Sequence, residues 1–124
     1  MNKLTLTEEQ MVENLHLAVE EAFLQTMILN RRAIAQVHFN LSAHIDTAEF
    51  RVMPFGTKFR EGLEVPDPLA ELRLQLDFYD WMDPEDMGAE YRARMAEIET
   101  FVRYLDHLIA MNKQIPVNYQ EAVA

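Results

Sequence analysis

The amino-acid sequence predicts an α+β fold in one domain, residues 1–124: an N-terminal helix, an antiparallel β-hairpin and two further helices, the last of them long. Three observations lead to this prediction. Apolar residues recur at helical spacing over residues 8–30, alternate with polar residues over 34–54, and form a second helical seam over 84–113. One domain is the natural count for 124 residues.

The first helix, residues 8–30, has a clear start signal. Thr7 as N-cap and Gln10 three residues later match a capping box. A helix that is apolar on most sides should be buried or contacted on two faces. The apolar residues that predict this are Met11, Val12, Leu15, Leu17, Val19, Ala22, Phe23, Leu24, Met27 and Ile28.

The hairpin follows from a change of parity. From Ala35 to Ile45 apolar residues recur at odd positions, and from Ala48 to Pro54 they recur at even positions. A tight turn at Asp46-Thr47 places them all on one face and sets Ile45 opposite Ala48.

The same register makes the other hairpin face polar, with His44 opposite Glu49 and Ser42 opposite Arg51. A His–Glu pair can bind a metal or move a proton. His38 and His44 lie about 20 Å apart along a strand, at ~3.3 Å per residue, which is too far to share an ion. Ordinary cross-strand polar pairs are the favoured interpretation.

Residues 55–67 are expected to be a loop punctuated by Gly56, Gly62 and Pro66. Asp67-Pro68 then signals a helix over 68–82, and Asp83-Pro84 signals a long helix over 84–113. The chain is expected to end in an extended tail, residues 115–124. The apolar residues that support the two helices are Leu69, Leu72, Leu76 and Tyr79 in the first, and Tyr91, Met95, Ile98, Val102, Leu105 and Ile109 in the second.

Two free strand edges make a homodimer the expected state. An isolated hairpin is marginally stable, and unpaired edges are a liability. Pairing two hairpins across a two-fold axis would give a four-stranded sheet, and packing the last helix on its mate is a second solution.

Composition excludes several classes of protein. The chain has no cysteine, so disulfides, thiolate nucleophiles and Cys-based metal sites are absent. It has no apolar run long enough for a membrane span and no signal-peptide pattern, which predicts a soluble cytoplasmic protein. Phosphate-loop, dinucleotide, zinc-protease and serine-hydrolase motifs are also missing. We therefore expect no enzyme activity, no catalytic residue, no cofactor and no metal site.

The acidic charge is concentrated in one region. Of the 21 acidic side chains, 12 lie in residues 61–99, against three basic ones. Within this region acids alternate with large aromatic residues, and we call this segment the acidic-aromatic surface: Asp77, Tyr79, Asp80, Trp81, Asp83, Glu85 and Asp86. Aromatic residues are favoured interface anchors, and a row of carboxylates can imitate DNA phosphates. The competing interpretation is that Tyr79, Trp81 and Met82 close the core while the acids cap helices.

Basic residues form a weaker candidate site, with Phe55 and Phe59 between them. Basic groups with aromatics can bind single-stranded nucleic acid, although the net charge of −10 opposes it. We call these residues the basic set: Arg31, Arg32, Arg51, Lys58 and Arg60.

The hairpin segment Val37–Asp46 followed by Phe50–Val52, with a long C-terminal helix after it, resembles small phage or prophage proteins that share a Ser-x-His-[Val/Ile] hairpin. The resemblance covers about 20 residues and implies no activity. It does imply a small accessory protein of a mobile element that acts by stoichiometric binding.

Together these observations predict a non-enzymatic accessory protein that binds a host protein complex through the acidic-aromatic surface and modulates or inhibits it. Two alternatives remain open. One is a nucleic-acid-binding regulator that uses the basic set. The other is a structural assembly subunit whose contacts come from the last helix and the tail.

Overall fold

The computed structural model describes residues 6–60, 62 and 64–117, and this part of the chain forms two helices and one antiparallel three-stranded sheet. The α+β class is therefore confirmed, whereas the prediction of three helices is wrong. In chain order the elements are α1 (Glu8–Arg31), β1 (Ala35–Ser42), β2 (Thr47–Pro54), β3 (Ala70–Gln75) and α2 (Pro84–Met111).

Helix α1 begins with the predicted capping box: the Gln10 N–H donates to Thr7 Oγ1 and the Thr7 N–H donates to Gln10 Oε1. Near its other end, the Asn30 side chain reaches the outer edge of β1. Its amide donates to the Val37 carbonyl at 3.1 Å, and its Oδ1 accepts from the Val37 N–H at 2.9 Å. Asn30 therefore pairs with the edge strand as a neighbouring strand would.

The hairpin pairs in a different register from the predicted one. Leu41 lies opposite Ala48, and Ser42 opposite Thr47, so the connection is a single 3₁₀ turn, Ala43–Ile45, closed by Asp46. Asp46 has a φ of 46°, a left-handed conformation that Asp tolerates better than most residues. The shift is an even number of residues, so the apolar residues still share one face.

The predicted helix over residues 68–82 is a strand instead. Strand β3 pairs with the second edge of β2, with Leu72 opposite Phe50 and Leu74 opposite Ala48. Leu72, Leu74 and Leu76 also fit a period of two. The strand is the stable choice because it hydrogen-bonds an edge of β2 that a helix would leave open. The sheet order is β1-β2-β3, so each protomer already supplies three strands.

Both helices cover the same face of the sheet and run parallel to each other. The Asn14 amide donates to the Tyr91 hydroxyl near the start of both helices, and Gln25 donates to Asp106 near their ends. Four phenylalanine rings connect the layers, with centroids 5.1, 4.7 and 5.3 Å apart in succession. These rings are Phe23 of α1, Phe39 of β1, Phe50 of β2 and Phe101 of α2.

The C-terminal end of α2 returns to the sheet. The helix ends at Met111 with Asn112 as a left-handed cap, two residues short of the predicted end. The Ile115 N–H then donates to the Ile34 carbonyl, and Phe55 bridges Pro116. Of the predicted extended tail, residues 118–124 lie outside the described residues.

Candidate functional site

The connection between β3 and α2 presents two stacked aromatic rings to solvent. Phe78 turns into the core, whereas Tyr79 and Trp81 point outward. Their rings stack with centroids 5.3 Å apart and an angle of 8° between the planes. Trp81 is 77% exposed, the largest exposed fraction among the big apolar side chains of the described residues. Tyr79 and Trp81 therefore do not close the core.

Arg94 of α2 holds this connection in place. The residue is 7% exposed, and its guanidinium donates to the Gln75 carbonyl at 3.0 Å and to the Asp77 carbonyl at 2.6 Å. The same group lies 4.7 Å from the centre of the Phe78 ring and pairs with Glu90 at 3.1 Å. Because its partners stand on both sides of the strand end, Arg94 fixes where the chain turns outward toward Tyr79.

Sequence reasoning treated Arg94 only as one of three basic residues in an acidic region. A signal was nevertheless present. On α2 the buried residues follow helical spacing, and Arg94 stands among apolar residues at one of these positions. A charged residue on a core stripe indicates a buried partner. The buried residues of α2 are Met87, Arg94, Ile98, Phe101, Leu105 and Leu108.

The carboxylates of the acidic-aromatic surface cluster around the start of α2. Asp83 is the N-cap, and its Oδ1 accepts from the Asp86 N–H at 2.8 Å. Glu85 and Asp86 occupy the first turn, where the helix dipole favours negative charge. Asp80, Asp83, Glu85 and Asp86 are exposed, while Asp77 is half-buried and accepts from Gln75. Helix capping accounts for Asp83, but it does not account for the exposed rings beside it.

A groove of about 610 Å³ adjoins this surface. Because α1 and α2 are parallel, both N-termini border it, and the acids of the first turn of α1 add to the negative charge at this end. Met82 links the groove to the aromatic pair, since its N–H donates to the Tyr79 carbonyl. Apolar side chains that line the groove are Leu6, Met11, Met82 and Met87, and its charged lining residues are Glu8, Glu85 and Arg92.

The basic set does not come together on one face. Arg31 and Arg32 stand at the C-terminal end of α1, in the helical layer. Arg51 lies on the opposite, open face of the sheet and pairs with Glu71 at 3.1 Å. Lys58 and Arg60 are in the loop after β2. Nucleic-acid binding by these residues stays a prediction, and Arg31 and Arg32 do not share a face of the protein with Arg51.

The open face of the sheet carries alternating charges. In the observed register Asn40, not His44, lies opposite Glu49, and His38, not Ser42, lies opposite Arg51. The predicted His44–Glu49 and Ser42–Arg51 pairs are wrong because the turn is longer than expected. His44 lies in the exposed 3₁₀ turn, and Arg73 of β3 approaches Glu49 at 3.7 Å.

Across residues 6–60, 62 and 64–117, no three acidic or histidine side chains are grouped so that they could hold a metal ion. Over the same part of the chain, no helix has the length and apolar character needed to cross a bilayer.

The geometry of the described residues identifies one candidate site. The acidic-aromatic surface is the candidate site on three grounds: exposed stacked rings, a buried arginine that positions them, and same-sign charges around them. Comparison with protein-family models, with curated proteins and with solved structures finds no match for this chain.

Proposed function

We propose that this protein is a non-enzymatic binding protein that docks on a basic surface of a partner protein and modulates or inhibits the complex to which that partner belongs. The acidic-aromatic surface makes the contact. The observation that carries the proposal is the Tyr79–Trp81 stack, in which Trp81 is 77% exposed to solvent. Exposed Trp and Tyr side chains are characteristic of binding hot spots.

Position and charge support the same proposal. Arg94 ties the backbone before the aromatic pair to α2, so little ordering is needed on binding. Exposed acids surround the rings, and a partner with Lys or Arg at its surface gains both charge complementarity and a cation–π contact with Trp81. A second apolar anchor of the partner would enter the methionine-lined groove beside the stack.

The resemblance of the hairpin to small phage proteins makes a bacterial protein complex the first partner to seek. We further propose that the protein is a homodimer and acts in the cytoplasm. Neither point is needed for the acidic-aromatic surface to bind.

The test is capture of partners from bacterial lysate by the tagged protein, with nuclease present, followed by calorimetry with the purified partner. We expect Trp81→Ala to weaken binding by at least about 30-fold, or 2 kcal/mol, as for a hot-spot residue. Asp80→Lys with Glu85→Lys should weaken binding and reduce its salt dependence. Asp83 is left unchanged because it caps α2.

Phe59→Ala is the matched control, since Phe59 is an exposed aromatic residue in the loop after β2. It should bind like the unmodified protein. Unchanged affinity for both Trp81→Ala and the double lysine variant would refute the proposal. Capture that disappears with nuclease would refute it in favour of nucleic acid.

A further inference from the structure

The outer face of α1 carries an apolar stripe that nothing in the described residues covers. Leu17, Leu24 and Met27 are 52%, 63% and 55% exposed. All three lie opposite the helix face that carries the buried Leu15, Ala22 and Leu29. Exposed leucines in a row along a helix indicate a docking surface.

The stripe continues at both ends with charged residues. Its six positions are spaced four, three, four, three and four residues apart, which keeps them on one side of a helix over about 27 Å at ~1.5 Å per residue. The members in order are Glu13, Leu17, Glu20, Leu24, Met27 and Arg31, and the three charged ones are also exposed.

The order of residues along the stripe is complementary to the same order in the opposite direction. If a second α1 lies antiparallel across a two-fold axis near residue 22, the acidic start of one stripe meets the basic end of the other. Parallel helices would instead set Glu13 against Glu13 and Arg31 against Arg31. The facing pairs in the antiparallel arrangement are Glu13 with Arg31, Leu17 with Met27, and Glu20 with Leu24.

We infer that α1 is the interface of a homodimer in which two copies of this chain pack their α1 helices antiparallel. The partner is a second copy because the stripe complements itself: opposite charges pair at both ends and Leu17 packs on Met27 between them, while Glu20 of each copy lies beside Leu24 of the other next to the axis. The inference deepens the proposed homodimer and is independent of the acidic-aromatic surface, which lies at the N-terminal end of the helices.

The interface differs from the two predicted from the sequence. A four-stranded sheet from two hairpins is excluded, because β3 already pairs with β2. The face of α2 that contains Ile98 and Leu105 is buried inside the protomer. A single helix pair of about 27 Å buries less area than the ~1,600 Å² of a standard interface, so we expect a dissociation constant in the micromolar range.

The oligomeric state is tested by sedimentation equilibrium over a concentration series. We expect a dimer for the unmodified protein and a dissociation constant raised at least about tenfold by Leu24→Glu, which sets a carboxylate against Glu20 of the second copy. Phe59→Glu is the control, because Phe59 is 51% exposed and its ring packs on His38, on the sheet face away from α1. It should leave the dimer intact.

Charge exchange tests the orientation. Glu13→Arg and Arg31→Glu should each weaken the dimer, and the double variant should restore it. Cysteine substitution adds an independent measurement, since the chain has no cysteine of its own. The double variant Leu17→Cys with Met27→Cys should form a disulfide-linked dimer on oxidation, and neither single variant should, because like positions lie about 15 Å apart along the axis.

Each contrary outcome has a distinct meaning. A protein that stays monomeric at every concentration would refute both the interface and the proposed homodimer. A dimer that Leu24→Glu leaves unchanged, or that Phe59→Glu dissociates, would refute this interface alone. Cross-linking of either single cysteine variant would overturn the antiparallel arrangement.

Discussion

The acidic-aromatic surface and the outer stripe of α1 both expose apolar side chains, yet their surroundings differ. The charged residues of segment 77–86, which holds Tyr79 and Trp81, are all negative, whereas the stripe of α1 has acid at one end and Arg31 at the other. A second copy would be repelled from the first surface and attracted to the second. The comparison teaches that charge pattern, rather than apolar area, decides whether an exposed apolar patch selects itself or another molecule.

The two regions also keep their shape by different means. The stripe is part of a 24-residue helix, so its geometry follows from regular hydrogen bonding. The aromatic pair stands on an irregular segment that depends on one buried side chain, Arg94. A change in Arg94 should therefore damage the first region and spare the second.

The largest expected effect comes from Arg94→Met, which keeps the side-chain length and removes the donors. The carbonyls of Gln75 and Asp77 lose charged hydrogen bonds, so we expect the free energy of unfolding to fall by about 2–4 kcal/mol in urea titration. Trp81 fluorescence should change and partner binding should weaken. Dimerisation, compared at equal protein concentration, should persist in the fraction that is folded.

Arg92→Met is the control for that experiment, since Arg92 lies on α2 two residues earlier and is exposed. A surface substitution of this kind should change stability by no more than about 0.5 kcal/mol. Equal losses for the two variants would contradict the assignment of Arg94 as the residue that positions the aromatic pair.

A smaller effect is expected from Asp83→Ala, which removes the N-cap of α2. The Asp86 N–H loses its acceptor, so stability should fall by about 1 kcal/mol. Thr7→Ala removes the corresponding cap of α1 and should cost a similar amount. Hydrogen exchange would distinguish the two variants. Asp83→Ala should increase amide exchange beside the acidic-aromatic surface, and Thr7→Ala should increase it at the start of α1. Increased exchange at both places in either variant would show that the two helix ends unfold together.

The smallest effect should come from Glu20→Gln, which sharpens the comparison by removing the acidic residue from the middle of the α1 stripe. Glu20 of each copy flanks the proposed axis, so neutralising it should tighten the dimer by a few-fold, or under about 1 kcal/mol. Glu85→Gln is the control in the acidic-aromatic surface and should not change the dissociation constant of the dimer. A weaker dimer after Glu20→Gln would argue that this carboxylate has an attractive partner across the interface.

Local sequence pattern predicted the first helix and the apolar face of the hairpin because Thr7 and Gln10 specify a start and parity specifies a face. It failed over residues 68–82 because the leucines there satisfy two periods. Leu69, Leu72 and Leu76 fit a helix, and Leu72, Leu74 and Leu76 fit a strand. The strand forms because these residues pair with the free edge of β2, which lies some 25 residues away in the chain and outside any local sequence window.

The sequence predicted which residues form the candidate site but not the contacts that position them. Alternating acids and aromatics pointed to Asp77–Asp86, although whether Trp81 faced the core or the solvent depends on where β3 ends. Arg94, which fixes that end, was counted as a charge rather than placed on a helix face. The prediction that the first helix is buried or contacted on two faces does not hold within the protomer, where Leu17, Leu24 and Met27 are exposed, and this outward set became visible only once the inward face was known.

The parallel arrangement of the two helices has a consequence for how the chain folds. Asn14 contacts Tyr91, 77 positions later in the chain, and Gln25 contacts Asp106, 81 positions later. Such contacts require closure of a long loop, and proteins rich in them fold more slowly than bundles of sequential helices. The hairpin can form from neighbouring residues, whereas α2 can dock only after the chain through Met111 has emerged from the ribosome. Until then the side of α1 that packs on α2 is uncovered, and the nascent chain is exposed to aggregation while α2 is still being made.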